Sequence, residues 1–196
     1  MRAKVKKTTI TFITNPISGT QSKANVPTLI EEVIDKERFD YEIVNTEYAG
    51  HATEIARDAV EKGRDIVAAV GGDGTVNEVA RALVDSTTAL AVVPCGSGNG
   101  LARHLLIPMD VRKSLEFINE CEIHELDYGT INNHPFFCTC GMGFDAHISK
   151  KFAEAGKRGK LTYAEKILTE GLKYKAETYA VEIDGEEQTY DAYVIT

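Results

Sequence analysis

Residues 65 to 84 read DIVAAVGGDGTVNEVARALV. Asp65 to Val70 is short, continuous and apolar, the pattern of a strand buried on both faces. It runs directly into Gly71-Gly72-Asp73-Gly74-Thr75, and Val76, Val79, Ala80, Leu83 and Val84 then recur at helical spacing. Strand, glycine turn and helix in that order make a βα unit. The same order repeats just after it, with a strand at Ala89 to Val93, the loop Pro94-Cys95-Gly96-Ser97-Gly98-Asn99-Gly100, and a short helix from Leu101 to Leu106. Upstream, Thr8 to Thr14 and Tyr41 to Thr46 are strands. A helix opening near Pro27 buries Leu29, Ile30, Val33 and Ile34, and Ala52, Ile55, Ala56, Ala59 and Val60 form a second stripe that Gly63 ends. Val111 to Glu120 is a further helix. Strands alternating with helices predict an α/β fold with a mostly parallel sheet.

After about Asp127 the pattern changes to hairpins, with turns at Asn132-Asn133-Pro135 and Asp184-Gly185. The second region contains a basic helical stretch from Ile148 to Tyr174 and reaches Thr196 in what reads as a strand, Ala192 to Thr196. The predicted division is 1–127 for the α/β domain and 128–196 for a β-rich unit. Two or three hairpins do not form a stable sheet alone, so the expectation is that the natural protein is longer.

Composition narrows the function classes. The 196 residues carry a net charge of −8, against the basic footprint that a general nucleic-acid binder needs. One segment opposes the trend: Asp145 to Lys175 holds eight Lys or Arg against four Asp or Glu. Lys150, Lys151, Lys157, Arg158 and Lys160 there suit an anionic membrane surface, while a solvated loop is the plainer reading. No run is long and apolar enough to span a bilayer. The N-terminus is basic but alternates apolar residues with threonine and lacks a small-residue cleavage site, so it leads into a strand. Cys95, Cys121, Cys138 and Cys140 have neither zinc nor secreted-disulfide spacing, which points to a reducing cytoplasm, and Cys138 and Cys140 read as core positions of one strand. His51 and His104 lack metal-site spacing and read as helix-end residues.

The glycine loops carry the chemistry. At the carboxyl end of a parallel strand, Gly71, Gly72 and Gly74 let backbone N–H groups approach phosphate oxygens while the next helix offers its positive end. Asp73 would be repelled by a polyphosphate unless Mg²⁺ or its water lay between them. Asn77 and Glu78, in the first helical turn, reach the loop mouth. The alternative is a tight turn with Asp73 capping the helix. A second loop, where Ser97 and Asn99 could donate to the same ligand, and a third, Asn15-Pro16-Ile17-Ser18-Gly19, favour one shared cleft.

Taken together, NPISG at 15–19, GGDGTVNEV at 71–79 and PCGSGNGLAR at 94–103 resemble the diacylglycerol kinase catalytic domain, a group that includes bacterial lipid kinases and sphingosine kinases. GGDG alone is shared with phosphofructokinases and NAD kinases; the Asn-Glu pair and the P-x-G-[ST]-x-N loop are more specific. Leu126-Asp127-Tyr128-Gly129 and Gly141-Met142-Gly143-Phe144-Asp145-Ala146 extend the likeness more loosely. The resemblance implies a three-layer α/β nucleotide-binding domain, as in phosphofructokinases and NAD kinases, followed by part of a C-terminal β-sandwich. It implies ATP contacts at Asn15, Pro16, Ser18, Gly19, Thr46, Gly72, Asp73, Gly74, Thr75, Asn77, Glu78, Gly96, Ser97 and Asn99, with Asp73 catalytic. The implied activity is transfer of the γ-phosphoryl of Mg-ATP to a lipid hydroxyl such as diacylglycerol or a sphingoid base, at a peripheral membrane surface from the cytoplasm. ATP, Mg²⁺ and a lipid acceptor are the implied ligands, membrane contact is transient, and a homodimer stays open. Ser-Gly-Asn-Gly in the second loop leans towards sphingoid-base kinases. The bacterial branch also has acidic residues late in its C-terminal domain, including a proposed base, without counterpart here; Asp184-Gly185-Glu186 matches an earlier hairpin. Metal ligands are therefore unassigned, and part of the acceptor site is expected beyond the chain. The competing expectations are a NAD kinase-like enzyme and a non-catalytic nucleotide-binding regulatory module.

Overall fold

The computed structural model describes residues 6–16, 25–120, 122–154, 167, 171 and 173–196. It divides into two compact units, 1–138 and 139–196. The α/β reading holds.

In the first unit β1 (Thr8–Thr14), α1 (Val26–Val33), β2 (Phe39–Asn45), α2 (His51–Glu61), β3 (Ile66–Gly71), α3 (Asp73–Leu83) and β4 (Ala89–Pro94) alternate along the chain. The strands form one parallel sheet in the order β2-β1-β3-β4. Helices α4 (Gly100–His104) and α5 (Val111–Glu120) follow, and then the hairpin β5 (Gly129–Ile131) and β6 (His134–Phe136).

Alternation of side chains along the strands makes two cores. Ile10, Phe12, Ala68 and Val70 face one way and meet Ile30 of α1 with Leu115 and Ile118 of α5. Ile13, Val67, Ala69 and Val92 face the other way and meet Ala52, Ala56 and Ala59 of α2, Val76 and Val79 of α3, and Leu101 of α4. Every residue of β3 is buried, as expected of a central strand covered on both faces. Alanines along α2 keep that helix close to the sheet.

The second unit contains β7 (Met142–Gly143), α6 (Phe144–Glu154), the hairpin β8 (Glu177–Ile183) with β9 (Glu186–Ala192), and β10 (Val194–Ile195), which pairs antiparallel with β7. Phe144, Tyr174 and Tyr193 cluster, with ring centroids 4.7 to 5.4 Å apart. The expected strand at 192–196 is therefore divided, since Ala192 ends β9 and only Val194 and Ile195 pair again. The expected helix from Ile148 instead begins at Phe144. Lys157, Arg158 and Lys160 lie outside the described residues. No described helix is long and apolar enough to cross a membrane.

Cys138 and Cys140 do not share a strand. The chain leaves β6 at Phe136, too early for either to pair; Cys138 is exposed and Cys140 half-buried, so the expected core placement is corrected.

Candidate nucleotide site

The strand order reverses direction at β1 and β3: from β1 the chain moves to one neighbour, β2, and later returns to the other side. In open α/β sheets the crevice beyond the carboxyl ends of two such strands is where ligands bind. Asn15 follows β1 at that crevice, its backbone N–H donating to the Val70 carbonyl of β3 at 3.3 Å. Its side-chain amide reaches the Thr75 hydroxyl at 3.5 Å. Thr46, buried at the end of β2, donates its backbone N–H to the Thr14 carbonyl at 2.8 Å. Pro16 is exposed, and Ser18 and Gly19 lie outside the described residues.

Beyond β3 the chain turns at once into α3. Gly72 is the N-cap in an extended conformation, and Asp73 is the first helical residue. The helix accordingly starts earlier than its apolar stripe suggests. Asn77 and Glu78 stand in its second turn, not its first, and both are half-buried. The Glu78 carbonyl accepts the Thr53 hydroxyl at 2.9 Å, tying α3 to α2. Thr75 is buried and Gly74 exposed.

The second loop lies against the first. Cys95 N–H donates to the Gly71 carbonyl at 2.8 Å, extending the β3–β4 pairing to the start of both loops. A Cβ on Gly96 would lie 2.6 Å from the Gly72 Cα, so the two backbones pass at a distance that only glycine permits. Asn99, 7% exposed and in the left-handed region at φ 57°, closes the turn on itself: its amide oxygen accepts the Gly96 N–H at 2.9 Å and its amide nitrogen donates to the Gly96 carbonyl at 2.8 Å. Ser97 is exposed at the tip.

Asp73 joins the loops. One carboxylate oxygen accepts the Asn99 N–H at 2.9 Å and the other accepts the Gly100 N–H at 2.7 Å. The carboxylate thus satisfies the start of α4, a different helix from the one proposed in the tight-turn alternative. Arg103 adds a tie that sequence reading missed, donating through Nε to the Gly98 carbonyl at 2.8 Å. Its signal was an Arg one helical turn after Asn99. His51, first in α2, accepts the Glu47 N–H at 3.1 Å and stacks on Tyr48 with centroids 4.4 Å apart, while His104 ends α4 exposed. Both are helix-end residues, as expected.

Asn15, Thr46, Gly72 to Thr75 and Gly96 to Asn99 consequently border one edge of the sheet. Among the described residues no group of three or more His, Cys, Asp or Glu side chains is arranged to hold a metal ion. A single exposed carboxylate at the loop mouth suits Mg²⁺ arriving on a nucleotide, which binds through one or two carboxylates together with phosphates and water. Each Asp73 oxygen has a second lone pair beyond the one given to the backbone.

Comparison with known proteins agrees with this arrangement. The family model for the diacylglycerol kinase catalytic domain matches residues 9–131. A diacylglycerol kinase of Staphylococcus saprophyticus is 32% identical over 141 residues, covering 70% of this chain and 46% of that protein. One from Staphylococcus aureus strain bovine RF122 is 31% identical over 179 residues, covering 89% and 56%. The chain spans about half the length of the curated relatives it matches. A crystal structure of a diacylglycerol kinase from Bacillus anthracis strain Sterne superposes with a TM-score of 0.70 at 24% identity, covering 96% of this chain and 62% of that one, a likeness of fold. With Asn15 and two glycine-bearing loops gathered at one sheet edge inside the matched region, the chain belongs to the diacylglycerol kinase catalytic domain family.

Proposed function

We propose that this chain is the nucleotide-binding part of a lipid kinase that transfers the γ-phosphoryl of Mg-ATP to a lipid hydroxyl, with diacylglycerol as the first acceptor to test. The observation that carries the reading is the joining of the GGDGT and PCGSGNG loops beside Asn15 at the strand switch point. The names of the curated relatives favour diacylglycerol over a sphingoid base.

Phosphoryl transfer asks a protein mainly to position groups and offset charge. Bound Mg-ATP supplies the phosphoryl group and a cation that spreads its negative charge. Gly72 and Gly96 let the two loops lie backbone to backbone, and Gly74, exposed and with nothing near its Cβ position, leaves room for phosphate oxygens beside the start of α3. Asp73 would meet the cation through the lone pairs not given to Asn99 and Gly100, Asn15 and Thr46 would border the nucleotide, and Ser97 would offer a hydroxyl from the loop tip. Asn99 shapes the turn that carries Ser97. The three-layer α/β domain over 1–127 and the sandwich begun in 128–196 belong to the same proposal, as do cytoplasmic location, transient contact with a membrane surface, a homodimer, and an acceptor site completed by the longer protein.

The test is transfer of labelled γ-phosphate by the full-length protein, with diacylglycerol, a sphingoid base, monoacylglycerol, phosphatidylglycerol and NAD offered in parallel. Label in diacylglycerol is expected. Label only in NAD would replace the reading with a NAD kinase, and nucleotide binding without label in any acceptor would replace it with a regulatory module.

A further inference from the structure

We propose that Asp73 acts as a clamp between the two glycine loops, fixing the Gly96–Gly100 turn through the backbone of Asn99 and Gly100, and that residue 98 is glycine because the clamp occupies its side-chain space. What the clamp serves rests on the nucleotide site proposed above; its existence does not.

The anchor is rigid, because Asp73 opens α3 one residue after β3, whose six residues are all buried. Its oxygens accept from Asn99 at 2.9 Å and Gly100 at 2.7 Å, within the range of charge-assisted hydrogen bonds. The turn that it holds needs a residue in the left-handed region, and Asn99, of a type that enters it more readily than most side-chain-bearing residues, sits there. Its amide is bound to Gly96, and the Gly98 carbonyl is taken by Arg103.

A Cβ on Gly98 would lie 2.6 Å from Asp73 Oδ2, closer than any stable contact. Gly98→Ala must therefore displace the carboxylate, although it adds no charge and removes no donor. The positions are coupled across the loops: once Asp73 has lost its grip, a methyl group at 98 has nothing left to break. A carboxylate acting only as a cation ligand would show a different pattern, mattering when Mg²⁺ is present and scarcely otherwise.

A double-mutant cycle of Asp73→Asn, Gly98→Ala and their combination, made in the full chain, tests the clamp. The first readout is amide hydrogen exchange at Asn99 and Gly100 without nucleotide, with protection in β3 reporting the fold. Each single substitution is expected to speed exchange at both amides by about tenfold or more, the scale set by one charge-assisted hydrogen bond. The double variant should exchange no faster than Asp73→Asn. Unchanged exchange in either single variant, or additive effects, would overturn the clamp. The second readout is affinity for ATP in excess Mg²⁺ and in EDTA. Loss of affinity in EDTA as well as in Mg²⁺ is expected, the larger in Mg²⁺ for Asp73→Asn because that carboxylate also faces the cation, and loss confined to Mg²⁺ would overturn the clamp in favour of a cation ligand alone. If the unaltered chain bound no ATP, the nucleotide reading would fail while the exchange cycle still decided the clamp.

Discussion

Asp65 and Asp73 flank β3, and each carboxylate receives backbone N–H groups from a distant part of the sequence, one at Asp65 and two at Asp73. At Asp65 one oxygen accepts both the Thr9 N–H and the Thr9 hydroxyl, each at 2.7 Å. Those bonds favour the charged form and hold the carboxyl below its ordinary value of 3.8. A carboxylate depressed in the folded state stabilises fully above its unfolded pKa, and that contribution is lost as pH falls through the lower folded value. Asp65→Asn should cost about 1–3 kcal/mol near neutral pH, and less in acid below both pKa values. Urea denaturation of both proteins at neutral and acid pH checks this; parallel acid loss in the two would remove Asp65 as a source of the pH dependence. Asp73 was legible in the sequence as a carboxylate out of place beside a phosphate-like loop. Its partners were not, because backbone N–H groups 26 and 27 residues away leave no mark on residue identity. Asn99 likewise reads as a ligand donor, whereas its amide in the fold serves Gly96.

Among the elements, α4 ends in a way that the sequence conceals. Ile107 N–H donates to the Ala102 carbonyl at 2.9 Å and Leu106 N–H to that of Arg103 at 3.1 Å, the paired bonds of a Schellman motif. The residue that must adopt the left-handed conformation there is usually glycine; here it is Leu106, at φ 57° and 86% exposed. Without the glycine signal the helix was expected to run on to Leu106. Replacing an exposed leucine held in that region relieves strain and removes few contacts, so Leu106→Gly is expected to stabilise by about 0.5–1 kcal/mol despite glycine's greater unfolded-state freedom. Thermal unfolding checks the sign, and a lower midpoint in the variant would show that the Leu106 side chain is held by contacts outweighing the strain. The start of α3 was hidden differently, since its first turn is glycine and polar and its apolar stripe opens only at Val76. Both hairpin turns were legible because their central residues tolerate positive φ, at Asn132-Asn133 and Asp184-Gly185.

For the whole molecule, the α/β layers followed from periodicity alone: a continuous apolar β3 and the stripes on α2 and α3 leave few other ways to bury them. The strand order β2-β1-β3-β4 did not follow, because every parallel crossover uses the same local pattern whichever neighbour it reaches. It is this order that brings Asn15 and the two glycine loops to one candidate site. The measurement closest to that claim is a residue-resolved NMR titration of the chain with Mg-ATP. Shifts are expected at Asn15, Thr46, Gly72 to Thr75 and Gly96 to Gly100, with little change near Thr9 and Asp65 at the other end of the sheet. Saturable binding that perturbs the opposite end and leaves these loops unmoved would contradict it.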